Sequence, residues 1–240
     1  MRVCFLPHVD PRDRLPGAVE EKCDGLVQFV LQHPTLMESF LAWLAMASGS
    51  TLGTPQWRYP PISITLSPLE KQHQGAIQRM AHDLWRACRE TAGPDQSARD
   101  IWDRCRGRML EVMVCDIVTK KRASGSDRVF GQSRVLVNGK SVSVGPRDSI
   151  DVGAMSRKGC ATDVAAYECK VSSDGFTNTP NQCAYLDELW RAFDRAREHG
   201  DTHCVVAVTA DSYDTATFTL RETRHLFMLW GAEQLTAEAS

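Results

Sequence analysis

The apolar positions change their period about halfway along the chain. Up to residue 121 they recur every three or four residues, which is the pattern of amphipathic helices. Beyond residue 125 they alternate with polar positions in short runs rich in valine, separated by Gly and Asn, which is typical of strands and turns. The order predicts a helical N-terminal region followed by a mainly β part, in an α/β or α+β fold.

The first half predicts helices over residues 18–32, 36–47, 70–90 and 98–121. A loop rich in Gly and Pro is predicted over 49–66, and Ser67 is predicted to cap the third helix together with Pro68 and Glu70. The turn at Gly93-Pro94 then divides the chain into a helical region, 1–95, and a second domain, 96–240.

The second half predicts a hairpin about Asn138-Gly139, between strands over 128–137 and 140–144. Further strands are predicted over 149–155, 162–171 and 203–211, with residues 155–162 containing a long loop. A helix over 181–200 is expected to end at Gly200.

Composition narrows the class of protein only a little. The chain has 240 residues, of which 42% are hydrophobic and 24% charged, and a net charge of −2, all ordinary for a soluble globular protein. Nucleic-acid binding would therefore depend on local basic patches, for which residues 119–128 and 156–159 are candidates. The longest apolar run, FLAWLAMA, is too short for a membrane span, and nine cysteines without a CxxC motif indicate free thiols in a reducing cytoplasm.

The stretch YECKV, residues 167–171, places two charges in an apolar strand. Side chains alternate along a strand, so Glu168 and Lys170 share one face while Tyr167 and Cys169 point to the other. Asp151 lies in the preceding predicted strand, and two converging carboxylates favour a cation such as Mg²⁺ between them. Two alternatives stay open: an ion pair on a solvated face, and a turn or cap role for Asp151.

An aspartate in one strand and Glu-x-Lys in the next resembles the PD-(D/E)xK nuclease superfamily. The matching residues are Ile150-Asp151 and Glu168-Cys169-Lys170, with Ile150 in place of the motif's proline. The predicted order from residue 99 to 211, a helix, several strands, a helix and a strand, is similar too. The resemblance implies a restriction-endonuclease-like core with a mixed central β-sheet flanked by helices. A second Glu-x-Lys, at residues 20–22, lies in a helical pattern without an aspartate-bearing strand before it.

The resemblance also implies a metal site. Asp151 and Glu168 would bind Mg²⁺, for which Mn²⁺ can substitute, and the main-chain carbonyl of Cys169 would be a further ligand. Glu111, on the helix before the strands, would complete the metal shell. The alternative for Glu111 is an ordinary ion pair with Arg108 on the same helix.

The remaining roles fall on the strand and on the helix after it. Lys170 would position the attacking water and stabilise the transition state. Gln182 would orient the lysine or the substrate, and Gln182 and Tyr185 together are similar to a pair found in RecB-like nucleases. An exposed helical position is the alternative for Gln182.

The expected function is a metal-dependent nuclease that hydrolyses phosphodiester bonds of nucleic acid, with DNA favoured over RNA. Phage defence, restriction or repair in bacteria are the settings that the resemblance implies. The alternative is a catalytically silent subunit with a nuclease fold that binds nucleic acid or a protein. The sequence leaves open whether the chain forms a homodimer or needs a partner subunit such as an ATPase or a sensor.

Overall fold

The structure is a computed structural model that describes residues 3–8, 14–47, 71–93, 97–122, 127–221 and 225–239, with only the backbone of Lys158. The predicted loop over 49–66 and the predicted cap over 67–70 lie outside the described residues, as does Pro94.

The helices predicted in the first half are present with small changes of boundary. They are α1 (Gly17–Leu31), α2 (Met37–Met46), α3 (Lys71–Thr91) and α4 (Ala98–Lys121), with a 3-10 turn at Pro34–Leu36. Helix α4 begins at Ala98 because Ser97 and Asp100 form a reciprocal cap. The backbone N–H of Asp100 donates to Ser97 Oγ at 3.2 Å, and that of Ser97 donates to Asp100 Oδ2 at 3.1 Å. None of the helices in the described ranges has the length and apolarity that a membrane span requires.

The second half adds four helices and most of the strands. The helices are α5 (Asp174–Asn178), α6 (Gln182–Ala196), α7 (Tyr213–Leu220) and α8 (Ala232–Ala239). The strands are β1 (Val3–Pro7), β2 (Arg128–Phe130), β3 (Ser133–Val137), β4 (Lys140–Ser141), β5 (Ser149–Ile150), β6 (Val152–Lys158), β7 (Ala161–Lys170), β8 (Thr202–Thr209) and β9 (Met228–Trp230).

The strands form one large mixed sheet and one small sheet. The large sheet has the order β2-β6-β7-β8-β9, in which β2, β6 and β7 pair antiparallel and β7, β8 and β9 pair parallel. The small sheet has the order β1-β3-β4, and β5 also pairs with β3. The protein is therefore mixed α/β, with a mixed sheet, flanking helices and a helical N-terminal region, as the sequence predicted.

Two of the predicted strands are each interrupted by a bend and form two shorter strands, and the two bends are neighbours. The run over 128–137 bends at Gly131-Gln132, and the run over 149–155 bends at Asp151. Phe130 pairs with Gly153 in the large sheet, and Ser133 pairs with Ile150 in the small one. Both strands thus pass from one sheet to the other at the same level. We call this bend, residues 131–132 and 151, the corner.

Other boundaries also differ from the prediction. The predicted long loop over 155–162 is wrong, because β6 and β7 meet in a tight turn at residues 159–160, where Gly159 has a φ of +65°. Helix α6 ends at Ala196 instead of Gly200. Gly200, with a φ of +89°, lies in a turn in which the N–H of Glu198 donates to Asp201 Oδ2 at 3.0 Å.

Strand β1 is absent from the prediction and pairs antiparallel with β3. The region predicted as helical therefore also supplies a strand to the second half of the chain. The division into residues 1–95 and 96–240 stays a prediction.

Two apolar cores cover the two faces of the large sheet. Helix α4 packs on one face, where it shares an apolar core with helices α1 to α3 and with Ala165, Tyr167 and Cys169 of β7. Helix α6 and the small sheet pack on the other face, where they meet Val164 and Ala166. The predicted alternation along β7 is confirmed, with Tyr167 6% and Cys169 4% exposed.

We expect Gly153→Ala to destabilise the protein by about 1–3 kcal/mol. A Cβ at this position would lie 2.7–2.9 Å from ring atoms of Phe5, so the ring and strand β1 would have to shift. The urea midpoint of unfolding measures the loss. Gly17→Ala is the matched control, since a Cβ there meets no atom within 4 Å. Equal stability of Gly153→Ala and the natural chain would contradict the prediction.

Candidate functional site

The corner and the end of β7 bring the predicted acids and lysine together. Asp151 is half-buried between β5 and β6, and its backbone N–H donates to the carbonyl of Tyr167 at 3.2 Å. Its side chain accepts from the backbone N–H of Cys169 through Oδ2 at 2.6 Å. Asp151 therefore occupies a bend, as the turn alternative expected, and its carboxylate also lies beside the Glu-x-Lys segment.

Glu168 and Lys170 form an ion pair that is largely buried. Lys170 Nζ donates to Glu168 Oε1 at 2.6 Å and to the carbonyl of Cys169 at 3.2 Å. The side chain of Glu168 is only 2% exposed, and that of Lys170 is 21% exposed. The alternative of a pair on a solvated face is therefore wrong. A carboxylate in this position has lost most of its water and depends on its partners.

The charges of this cluster act strongly on one another. Burial raises the pKa of the Asp151 carboxyl well above its usual value, and the charges of Glu168 and Glu111 raise it further. Burial alone would lower the pKa of the Lys170 ammonium, but Glu168 and Asp151 raise it above its usual value. Lys170 is thus a permanent cation that only partly offsets the surrounding acids.

Helix α4 brings Glu111 to the same place. Glu111 lines a cavity of about 450 Å³ together with Asp151 and Lys170. The glutamate proposed from the sequence therefore shares one cavity with the acid and the lysine of the motif. Arg108 forms ion pairs with Glu20, at 3.4 Å, and with Asp24, at 3.9 Å.

Helix α6, which packs on the face of the sheet opposite to α4, contributes two buried polar residues. Gln182 is 1% exposed and Tyr185 is 0% exposed, so the alternative of an exposed Gln182 is wrong. Burial raises the pKa of the Tyr185 phenol, and the charge of Glu168 raises it further. Neither the Gln182 amide nor the Tyr185 hydroxyl has a hydrogen-bond partner among the described residues, and the same holds for Glu168 Oε2. Buried polar atoms without partners are costly and often mark a functional site.

The oxygen atoms of these residues are suitable ligands for a hard divalent cation, but they do not surround one position. Within the described ranges, no three Cys, His, Asp or Glu side chains enclose a position for a metal ion. One oxygen of each carboxylate is already engaged, Asp151 Oδ2 by the Cys169 N–H and Glu168 Oε1 by Lys170. Glu168 Oε2 and the raised pKa of Asp151 point to unsatisfied negative charge, which Mg²⁺ would offset with carboxylate and carbonyl oxygens.

Four arginines in the cavity wall were missed by sequence reasoning. Arg14, Arg104, Arg108 and Arg147 all line the cavity that contains Glu111, Asp151 and Lys170. The i, i+4, i+7 spacing of residues 104, 108 and 111 on a helix was a readable signal. Arg14 and Arg147 gave no signal, because they lie outside regular elements and reach the cavity only through the tertiary fold.

Arg147 lies on the segment between β4 and β5, close enough to affect both Lys170 and Tyr185 electrostatically. Within the described residues it forms no ion pair, since the neighbouring Asp148 pairs with Arg134 at 2.7 Å. It is therefore a cation of the cavity without an ion pair to any of the described residues.

Most of the described basic side chains of the segments proposed from the sequence have other partners or lie away from the site. Ion pairs with carboxylates engage the end of α4, namely Lys120 with Asp116, Lys121 with Glu238, and Arg122 with Asp163. Arg157 pairs in register with Thr162 near the start of β7, eight residues before Lys170. At about 3.3 Å per residue that start is roughly 26 Å from Lys170, so Arg157 does not border the candidate site. Thr119, at the start of the other basic segment, lines a second cavity together with Glu111 and Asp151.

No protein-family model matches the chain, and no curated protein matches it. Among solved structures, it is similar to the crystal structure of protein VC1899 from Vibrio cholerae, with 14% sequence identity and a TM-score of 0.46. The match covers 99% of this chain and 57% of that chain. The chain thus spans a little over half the length of that protein.

We expect Asp151→Asn to stabilise the metal-free protein, because the amide keeps an acceptor for the Cys169 N–H and removes a charge beside Glu168 and Glu111. The gain should be about 0.5–2 kcal/mol at neutral pH, the usual size for a single stabilising substitution. Asp151 has a raised folded-state pKa, so protonation stabilises the natural chain at low pH and that stability is lost as the pH rises through the raised value. The gain of the variant should therefore grow between pH 5 and pH 8.

Unfolding in urea with EDTA measures this difference, and Asp83→Asn, an exposed acid on α3, is the control. Added Mg²⁺ should then stabilise the natural chain and leave Asp151→Asn unchanged. A variant that is less stable than the natural chain at pH 8 in EDTA would contradict the expectation.

Proposed function

We propose that the protein is a metal-dependent phosphodiesterase that cleaves nucleic acid, with DNA favoured over RNA. The observation that carries the proposal is the single cavity that contains Glu111, Asp151 and Lys170 beside the buried carboxylate of Glu168. The resemblance of Asp151 and Glu168-Cys169-Lys170 to the PD-(D/E)xK motif supports the same reaction.

Each side chain then has a role in phosphodiester hydrolysis. Asp151, Glu168, Glu111 and the Cys169 carbonyl would hold Mg²⁺ or Mn²⁺. The ion, when bound, supplies an activated water and offsets charge on the phosphate. Lys170, held at 2.6 Å by Glu168, orients the attacking water and donates to a phosphate oxygen.

Arg147 and Gln182 complete the proposed site. The guanidinium of Arg147 stabilises the negative charge that develops on the phosphate, since it is close to Lys170 and forms no ion pair within the described residues. Gln182 fixes the orientation of Lys170 or of the substrate through amide atoms that have no other partner there.

The cavity's charge pattern supports a polyanionic substrate. Five cations, Arg14, Arg104, Arg108, Arg147 and Lys170, line it beside three acids, Glu20, Glu111 and Asp151. Arginine binds phosphate through two parallel hydrogen bonds, so such a wall suits a nucleic-acid backbone. By resemblance alone, the setting would be bacterial phage defence, restriction or repair, with a homodimer or a partner subunit as further proposals.

A catalytically silent, nuclease-like binding subunit is the second candidate. It is favoured by one observation, namely that Asp151 and Glu168 each already accept a hydrogen bond from the protein and no three acidic ligands converge within the described residues. Such a subunit would bind nucleic acid without cleaving it, with or without metal.

We expect Lys170→Met to lower metal-dependent cleavage by at least about 100-fold, because it removes the donor that faces the reacting phosphate. Glu168→Gln should lose activity similarly. The measurement is single-turnover cleavage of plasmid, linear duplex, single-stranded DNA and RNA in Mg²⁺, Mn²⁺ or EDTA.

Lys140→Ala, at an exposed position of the hairpin, is the matched control and should cleave like the natural chain. Cleavage that persists in Lys170→Met would overturn the proposed mechanism. Binding of these substrates without any cleavage by the natural chain would favour the silent subunit.

We also expect Gly175→Ala to lower kcat on the order of tenfold, with little change in melting temperature. A Cβ at this position of α5 would lie 3.1–3.3 Å from the aliphatic carbons of Lys170, so the ammonium would shift by a few tenths of an ångström. Thr177→Ala, at an exposed position of the same helix, is the control. Full activity of Gly175→Ala would show that the position of Lys170 is not critical.

A further inference from the structure

The arginines of the cavity form a stripe that leads away from the acids. Arg104, Arg108 and Glu111 lie on one face of α4, and Arg14 lies beside them just before α1. At 1.5 Å per residue, Arg108 stands about 4.5 Å and Arg104 about 10 Å from Glu111 along the helix axis. The positive charge therefore extends beyond the place of a phosphate held at Lys170.

The ion pairs of Arg108 within the protein are weak ones. Arg108 reaches Glu20 at 3.4 Å and Asp24 at 3.9 Å, and all three side chains are more than one third exposed. Arg104 donates from Nη1 to the carbonyl oxygen of Arg14 at 3.3 Å, and the side chain of Arg14 is exposed. Exposed pairs of this length add little to stability, so ion pairing alone does not account for the position of Arg108 at this wall.

Gly107 lies on the same face of α4 and lines the same cavity. Glycine in the middle of a helix is unfavourable relative to alanine, and a Cβ here would meet no atom within 4 Å. The protein therefore has room for a side chain at this position and lacks one. The bare backbone lets a ligand approach the wall between Arg104 and Arg108.

We infer that Arg14, Arg104 and Arg108, beside the bare wall at Gly107, form a second phosphate subsite, which binds the phosphate next to the one that is cleaved. The forked donors of arginine match the oxygens of a phosphodiester. The inference rests on the proposed function and deepens it, because the substrate class becomes a polynucleotide strand that spans at least two phosphates. Glu20, which pairs with Arg108 in the same cavity, competes with the bound phosphate.

Two substrates separate this subsite from the catalytic centre. Bis(4-nitrophenyl) phosphate has a single phosphate and reports on the centre, whereas a labelled oligonucleotide reaches both places. Arg14→Gln and Arg104→Gln should each lower the ratio of kcat/KM for the oligonucleotide to kcat/KM for the reporter by about tenfold. Arg191→Gln, an exposed arginine of α6 on the other side of the sheet, should leave the ratio unchanged.

Two further variants distinguish a phosphate-binding role of these residues from a purely structural role. Gly107→Ala should lower the same ratio while the melting temperature stays equal or rises, because alanine favours the helix. Glu20→Gln should tighten oligonucleotide binding, since it removes the competing carboxylate. A fall in both stability and activity of Gly107→Ala, or weaker binding by Glu20→Gln, would count against the subsite.

Binding without cleavage tests the inference independently of the nuclease proposal. In EDTA, the slope of log K against log salt for the oligonucleotide should lose about 0.7–0.9 in magnitude in Arg14→Gln and in Arg104→Gln. If the natural chain cleaves both substrates and neither ratio nor slope changes in these variants, the subsite is wrong and the nuclease stands. If nothing is cleaved, the nuclease proposal fails, and the slope alone decides the subsite: a reduced slope supports it and an unchanged slope overturns it.

Discussion

The burial of the Glu168 carboxylate is the constraint on which the rest of the site depends. A carboxylate that is 2% exposed needs a close cation, and Lys170 supplies it at 2.6 Å from the same face of the strand. The intervening Cys169 donates its N–H to Asp151 at 2.6 Å, so the acid of the corner is held against the strand that carries the pair. The ion pair, the strand end and the corner therefore fix one another's positions.

The location of these charges follows from the architecture of the sheet. Along most of β7 both faces are covered, by helices α1 to α4 on one side and by α6 and the small sheet on the other, and the side chains there are apolar. At the end of β7 the neighbouring strands turn away at the corner, and a cavity opens between α4 and the bend. Charged side chains are tolerated at this point because Glu168 is paired with Lys170, and because Lys170 and Asp151 line the cavity.

Sequence patterns predicted the features that depend on residues close together in the chain. The 3.6-residue period gave the helices of the first half, and the alternation along β7 placed Glu168 and Lys170 on one face and Tyr167 and Cys169 on the other. The same patterns could not reveal the corner, because a strand that bends between two sheets keeps its apolar alternation through the bend. Strand β1 was not predicted either, since its five residues form a strand only by pairing with β3, far along the chain.

The roles of the basic residues also depend on contacts between residues that are far apart in the chain. Runs such as residues 119–122 look like nucleic-acid contacts in the sequence, but three of these side chains pair with Asp116, Glu238 and Asp163. Arg14 and Arg147 are isolated in the sequence, and the fold brings them to the cavity of the acids. Whether a cation serves a ligand or the protein depends on the carboxylates around it, and only the tertiary structure supplies those.

The balance of charge inside the site favours a bound cation over a purely structural role. A core built for stability alone gains more from apolar side chains than from a buried ion pair, and an ion pair kept for structure should satisfy all of its oxygens. Here Glu168 Oε2 has no partner among the described residues, and burial, with the charges of Glu168 and Glu111, raises the pKa of Asp151 well above its usual value. The charges of Glu168 and Glu111 both oppose ionisation of Asp151, and the ammonium of Lys170 hydrogen-bonds to the other carboxylate oxygen of Glu168. A hard divalent ion would bind these carboxylate oxygens, and the unpartnered oxygen of Glu168 beside Asp151 is the physical basis of the proposed metal-dependent reaction.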